Sequence, residues 1–237
     1  MSDSASRRHF LKSGLVLIPA VTLAPQTVFS STPAEGGAED KHSGERYAPR
    51  FFSSAEWAFI NAATERLIPQ DELGPGAVAC GIPEFIDRQM ETPYAYGLLW
   101  YMQGPFLSDL PAELGYQQKL TPREIYRFGI KACDDWCIST HAKVFAQVPA
   151  DTQIQILHQL EAGNVAMNEL SSALFFAQLL KTTKEGYFAD PLYGGNRKMA
   201  GWRMIGFPGA RADYMDWVDH PNEHYPLGAV SIDGQRA

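Results

Sequence analysis

Three cysteines, six histidines and 27 carboxylates are the side chains of this 237-residue chain that could do chemistry, and their spacing limits which reactions are open. Cys133 and Cys137 stand four apart on a helical stretch, so both thiols face the same way but are poorly placed to bridge each other. In an oxidising compartment Cys80 could pair with either one and leave an odd thiol for a partner chain; alternatively all three stay as buried thiols. The spacing matches neither the Cys-x-x-Cys-His of covalent haem nor the clustered cysteines of iron–sulfur sites. His220-Pro221-Asn222-Glu223-His224, with Asp216 and Asp219 upstream, has metal-capable groups. Pro221 opposes the helix that would align the two imidazoles, and the His-Glu-x-x-His arrangement is missing. An acidic, solvated segment is the simpler reading. His141 and His158 fall on helical stretches and read as structural.

No Gly-x-Gly-x-x-Gly follows a strand, and the chain has no P-loop and no Gly-x-Ser-x-Gly elbow. Asp134 and Asp135 are adjacent on a helix and point apart, so they do not form an acid–base couple. The sequence therefore offers no catalytic, cofactor or metal set of its own. What it does offer is a recognition segment from Gly186 to Tyr214. Glycines at 194, 195, 201, 206 and 209 permit turns and close backbone approach. Tyr187, Tyr193, Trp202 and Phe207 supply large stiff surface, and Asn196, Arg197 and Arg203 supply polar and forked contacts. These seven side chains are the candidate partner contacts, because Trp, Tyr and Arg are enriched at interface hot spots. A loop packing on its own core has the same composition.

Helices must position this segment. Ser53-Ser54-Ala55-Glu56 is a capping box, followed by Trp57, Ile60, Thr64, Leu67 and Ile68 at helical spacing and stopped by Pro69. A short helix is expected over 83–90, with Ile82, Phe85, Ile86 and Met90 inside. Residues 92–120, rich in Pro, Gly and aromatics, read as turns and loops. Thr121-Pro122-Arg123-Glu124 starts a helix that should run to about Ala146. Asp151 opens the next, with Ile154, Leu157 and Leu160 inside and Gly163 at its end. Leu170 to Leu180 is almost wholly apolar and is expected to be the central, buried helix. With no alternating strand anywhere, the fold class is mainly α. It is a single irregular helical domain over 51–237 with long loops and a glycine/aromatic-rich C-terminal segment.

The N-terminus reads differently. Arg7-Arg8-His9-Phe10-Leu11-Lys12 before a dozen apolar residues has the form of a twin-arginine export signal, too short to span a bilayer. Residues 1–34 are assigned to the signal and its cleavage region, and 35–50 to a flexible leader. Net charge is −7 overall, and −9 once Arg7, Arg8, Lys12 and Asp3 are removed. No basic block remains to bind nucleic acid.

Leu67-Ile68-Pro69 with Asp71, Pro75-Gly76-Ala77 leading to Phe85-Ile86-Asp87, and above all Tyr187-Phe188-Ala189-Asp190-Pro191 with Tyr193-Gly194-Gly195-Asn196 carry a resemblance. Gly201-Trp202 and Ile205-Gly206-Phe207-Pro208-Gly209 complete it. From about Phe51 to Arg236 the chain resembles the gluconate 2-dehydrogenase subunit 3 family, the small (gamma) subunits of membrane-bound flavin dehydrogenases. The resemblance implies a non-catalytic subunit of an oxidoreductase complex at the periplasmic face of the inner membrane. Its implied partners are a large subunit holding FAD, with an iron–sulfur cluster as an optional addition, and a multihaem cytochrome c subunit. It also implies that this subunit stabilises the flavoprotein and escorts it through the twin-arginine translocase. The competing reading is a self-sufficient periplasmic oxidoreductase or metal enzyme built on His220 and His224.

Overall fold

Ser53 starts a helix in the way its neighbours require. Its hydroxyl accepts from the Glu56 amide at 3.4 Å, and the Glu56 carboxylate accepts from the Ser53 amide at 2.8 Å. The computed structural model describes residues 47–107, 110–114 and 116–237. The segment with Arg7 and Arg8, and all but the last four residues of the 35–50 leader, lie outside the described residues. Helix α1 spans Ser54–Leu67, α2 Ile82–Gln89, α3 Pro122–His141, α4 Ala150–Glu161, α5 Ser172–Phe188 and α6 Ala200–Ile205. Among the described residues β-pairing is confined to isolated bridges, Gly209 with Val230 and Val230 with Arg236. The mainly helical, single-domain expectation holds.

The apolar α5 is central and packs against each of α1 to α4. Phe175 from α5 meets Phe59 of α1 at 5.9 Å and Tyr126 of α3 at 6.3 Å between ring centres, and Phe59 meets Phe145 at 4.6 Å. All four rings are fully buried. α3 comes close to α5 because residue 129 is glycine: a Cβ there would collide with the Phe175 ring. The Tyr126 hydroxyl donates to Thr182 Oγ1 at 2.5 Å, and Thr182 donates back to the Gln178 carbonyl at 3.0 Å, so both of these buried hydroxyls are paired.

Three features differ from the sequence reading. α3 stops at His141 rather than near Ala146. Ala142 turns left-handed at φ 58°, and the Asp134 carboxylate takes the Phe145 amide at 2.9 Å, which carries Phe145 into the core. On α4 the inward stripe is Gln153, Ile156, Leu157 and Leu160, so Ile154 faces solvent instead of the core. α5 runs eight residues past Leu180, through Thr182 and Thr183, whose hydroxyls bond back to carbonyls of the preceding turn.

The N-terminal end of the described chain is tied to α2 by a single buried carboxylate. Asp87 is fully buried. Its Oδ2 accepts from the Arg50 amide at 2.7 Å and the Tyr47 hydroxyl at 2.7 Å, while its Oδ1 accepts from the Phe51 and Phe52 amides at 3.0 Å each. Burial, then the bond to Asp87, pushes the Tyr47 phenol well above its ordinary range. Arg127 secures the same strap from the other side: it donates to the Phe51 carbonyl, lies over the Phe51 ring at 4.0 Å and pairs with Glu56. Residues 47–50, assigned to the leader on composition, are thus part of the docked chain.

Candidate functional site

Beyond α5 the chain stops burying its apolar side chains in one place and is held by polar contacts. Asp190 caps the 3-10 turn Pro191–Tyr193 by accepting from the Leu192 amide at 3.0 Å, and its second oxygen takes the Ile232 amide at 2.7 Å. One carboxylate thereby fixes both the start of the segment and the returning C-terminal stretch. Asn196, fully buried and left-handed at φ 45°, donates to the Ala189 carbonyl and accepts from the Gly201 amide, each at 2.8 Å. That bond sets where α6 begins. Gly201 is obligatory there, since a Cβ would strike the Tyr187 carbonyl oxygen.

The turn 194–197 seats against the start of α2. The Arg197 amide donates to the Cys80 carbonyl at 3.1 Å, and its guanidinium reaches the largely buried Glu84 at 2.6 Å. Arg88 pairs with the other Glu84 oxygen, so Glu84 bridges two arginines. Trp202 donates from its indole to the Phe188 carbonyl at 2.7 Å, packs edge-on against Phe207 at 5.2 Å, and forms a small second core with Met199 and Ala229.

The seven candidate contacts therefore divide. Tyr187, Asn196 and Trp202 are buried, and each spends its polar atoms inside the chain, Tyr187 by donating to the Pro75 carbonyl at 2.9 Å. Their side chains shape the surface from beneath rather than forming it. Tyr193, Arg203 and Phe207 are exposed, and Arg197 is half-exposed while paired to Glu84. Around them Leu192, Met204 and Ile205 also face outward.

A second exposed apolar region lies between α2 and α3, where the sequence reading expected only loops. Leu98 and Tyr101 are each 73% exposed, and Leu99, Phe106, Leu107 and Leu114 are also outside. No motif marks this stretch. Its usable signal is a dense run of large apolar residues with neither the 3.6 nor the 2 period that would bury them. Nor does the sequence mark Glu84 as a bridge or Asp87 as an anchor, because a carboxylate's partners are set by tertiary contact.

The chemistry-bearing residues are dispersed. All three cysteines are free and buried. The neighbouring Cys137, together with burial, pushes the Cys133 thiol up, while the proximity of Cys133 draws the Cys137 thiol down. Cys80 points its sulfur at the Pro75 carbonyl, 3.7 Å away, and burial raises its thiol against the pull of Tyr187 and Arg197. His220 stacks on Trp217 at 4.3 Å and sits 3.2 Å from Glu223 at the surface. Among the described residues no three His, Cys, Asp or Glu side chains converge in a way that would hold a metal ion, and no helix is long and apolar enough to cross a membrane.

The model of the family described as gluconate 2-dehydrogenase subunit 3 matches residues 54–209, from the first capping box to Gly209 within the glycine/aromatic segment. The chain belongs to that family. No curated protein and no solved structure matches it. The family is that of one subunit of a multi-subunit gluconate dehydrogenase, which implies partner chains.

Proposed function

We propose that the chain is the non-catalytic small subunit of a periplasmic, membrane-associated, FAD-dependent dehydrogenase acting on gluconate or a related sugar acid. It binds and stabilises the flavoprotein subunit, and the Arg7-Arg8 signal carries the pair through the twin-arginine translocase. FAD, with or without an iron–sulfur cluster, belongs to the large subunit, and haem c belongs to a multihaem cytochrome subunit that takes the electrons onward. In this arrangement the small subunit contributes surface rather than reacting groups.

The observation that carries the reading is the apolar surface around Leu98, Leu99, Tyr101, Phe106 and Leu107, in a chain whose family is defined as a dehydrogenase subunit. Monomers rarely leave so many large apolar side chains in water, and permanent partners cover surfaces of this kind. The test is to co-express the large subunit with this chain carrying Arg7→Lys and Arg8→Lys. The expected result is loss of dehydrogenase activity from the periplasm with flavoprotein retained inside the cell. Unchanged periplasmic activity would sink the escort role.

A further inference from the structure

A polar cleft of about 530 Å³ opens between the C-terminal half of α1, the loop that follows it and α4. Its lining includes Asn61, Glu65, Arg66, Gln70, Val78 and Gln153, with no aromatic side chain. None of these residues belongs to the apolar loop between α2 and α3 or to the segment after Phe188. Two carboxamides are fixed in the cleft by their own nitrogens. Asn61 donates to the Trp57 carbonyl at 2.7 Å, and the largely buried Gln153 donates to the Phe145 carbonyl at 3.1 Å. Among the described residues neither carboxamide oxygen receives a donor in return. Arg66 is the one cation of the lining. Among the described residues no carboxylate pairs with it, and its Nε is enclosed without an acceptor. An enclosed guanidinium nitrogen with no acceptor is rare in a folded chain. Glu65 stands one place earlier on α1, about 100° round the helix, and accepts from the Val78 amide at 3.1 Å. It ties the loop wall to α1 and leaves Arg66 unpaired.

This set of side chains selects its ligand. A guanidinium without a counter-ion takes an anion, and carboxamide oxygens whose nitrogens are already committed take hydroxyl donors. A protein segment anchors itself in apolar or aromatic pockets, and this cleft has no apolar side chain larger than Val78. A neutral polyol would leave Arg66 unanswered, and a fatty acid would leave the amide oxygens unmet. We propose that the cleft binds a small polyhydroxylated monocarboxylate, its carboxylate on Arg66 and its hydroxyls on Asn61, Gln153 and Glu65. The site goes beyond the proposed assembly role, which assigns oxidation of the sugar acid to the flavoprotein, and it needs no partner chain.

Titration calorimetry of the purified full chain, with gluconate as the probe, tests it. Gluconate should saturate a single site, while sorbitol, which lacks the carboxylate, and hexanoate, which lacks the hydroxyls, should bind at least about tenfold more weakly. In nuclear magnetic resonance spectra the side-chain amide signals of Asn61 and Gln153 should move along the same titration. Arg66→Gln should weaken gluconate by about tenfold without moving the thermal midpoint, and Arg66→Lys should recover part of the loss. Asn61→Asp, which sets a second carboxylate beside the ligand, should abolish binding independently. Absence of saturable gluconate binding, equal binding of sorbitol or hexanoate, wild-type affinity in Arg66→Gln or Asn61→Asp, or tighter binding of an acetylated acidic peptide would each overturn the site. The measurement contains no flavoprotein, so its failure leaves the assembly reading standing, and failure of the assembly leaves this site standing.

Discussion

The helical body and the tail after Phe188 solve the same problem by opposite means. In the body, Phe59, Tyr126, Phe145 and Phe175 are hidden from water and polar groups serve mainly to end helices. In the tail, Leu192, Tyr193, Ile205, Met215 and Val218 face water while the backbone is pinned by buried or half-buried polar side chains: Asp190, Asn196 and the Arg197–Glu84 pair. A region that spends its apolar residues on a core is stable by itself. One that holds its shape through hydrogen bonds keeps those residues available for a partner, and its own stability is correspondingly local.

The largest effect should come from the body. Phe175→Ala removes the ring shared by α1, α3 and α5 and should cost about 3–5 kcal/mol, enough to abolish the cooperative unfolding transition of the isolated chain. Calorimetry checks this; a loss confined to the tail would break the comparison. Asn196→Ala comes next, at about 2 kcal/mol for two buried hydrogen bonds, but locally. Proteolysis should appear between residues 190 and 210 while the far-ultraviolet helical signal persists. Loss of helix throughout would mean that body and tail form one cooperative unit. Smaller again is the combined Tyr193→Ala and Phe207→Ala change, which should cost the isolated chain about 1 kcal/mol, through the edge contact of Phe207 with Trp202, while reducing recovery of the flavoprotein complex. A marked fall in the isolated chain's melting temperature would show these rings to be core.

Body chemistry supplies the finest test. Partial desolvation of the half-exposed Glu185 carboxyl raises it above its ordinary value against a weaker pull from Lys181. A carboxyl whose folded value is raised is more easily ionised in the unfolded chain, so stability falls as pH climbs from the ordinary value through the folded one, and the penalty persists above it. Glu185→Gln should therefore be slightly stabilising at pH 7, with the gain fading once both states are protonated in acid. Equal gain at every pH would assign the effect to packing instead.

These contrasts also explain what the sequence makes legible. Ser53–Glu56 and Thr121–Glu124 announce helix starts because each motif is satisfied within four residues. The central place of α5 follows from the almost wholly apolar stretch up to Leu180. The end of α3 is hidden, because a contact between Asp134 and Phe145 decides it. α6 is hidden too: it is six residues long, starts behind left-handed Lys198 and Met199, and depends on Asn196. Composition flags Trp202 and Tyr193 equally as recognition residues. Only the fold shows that the first is seated under Phe188 and the second is at the surface.

Asp87 has a mechanical consequence. Any pull applied upstream of Tyr47 enters the fold at the amides of Arg50, Phe51 and Phe52, which are loaded side by side on one carboxylate. Force in that direction must shear three bonds together before Phe51 and Phe52 leave their seats, instead of peeling α1 turn by turn. The load path runs from the strap into α2 and then α5, so resistance to traction is set by the unfolding barrier of the body. The tail shares that path through the Arg197–Glu84 pair on α2, so a tug at the front of the subunit is felt at the turn 194–197 as well.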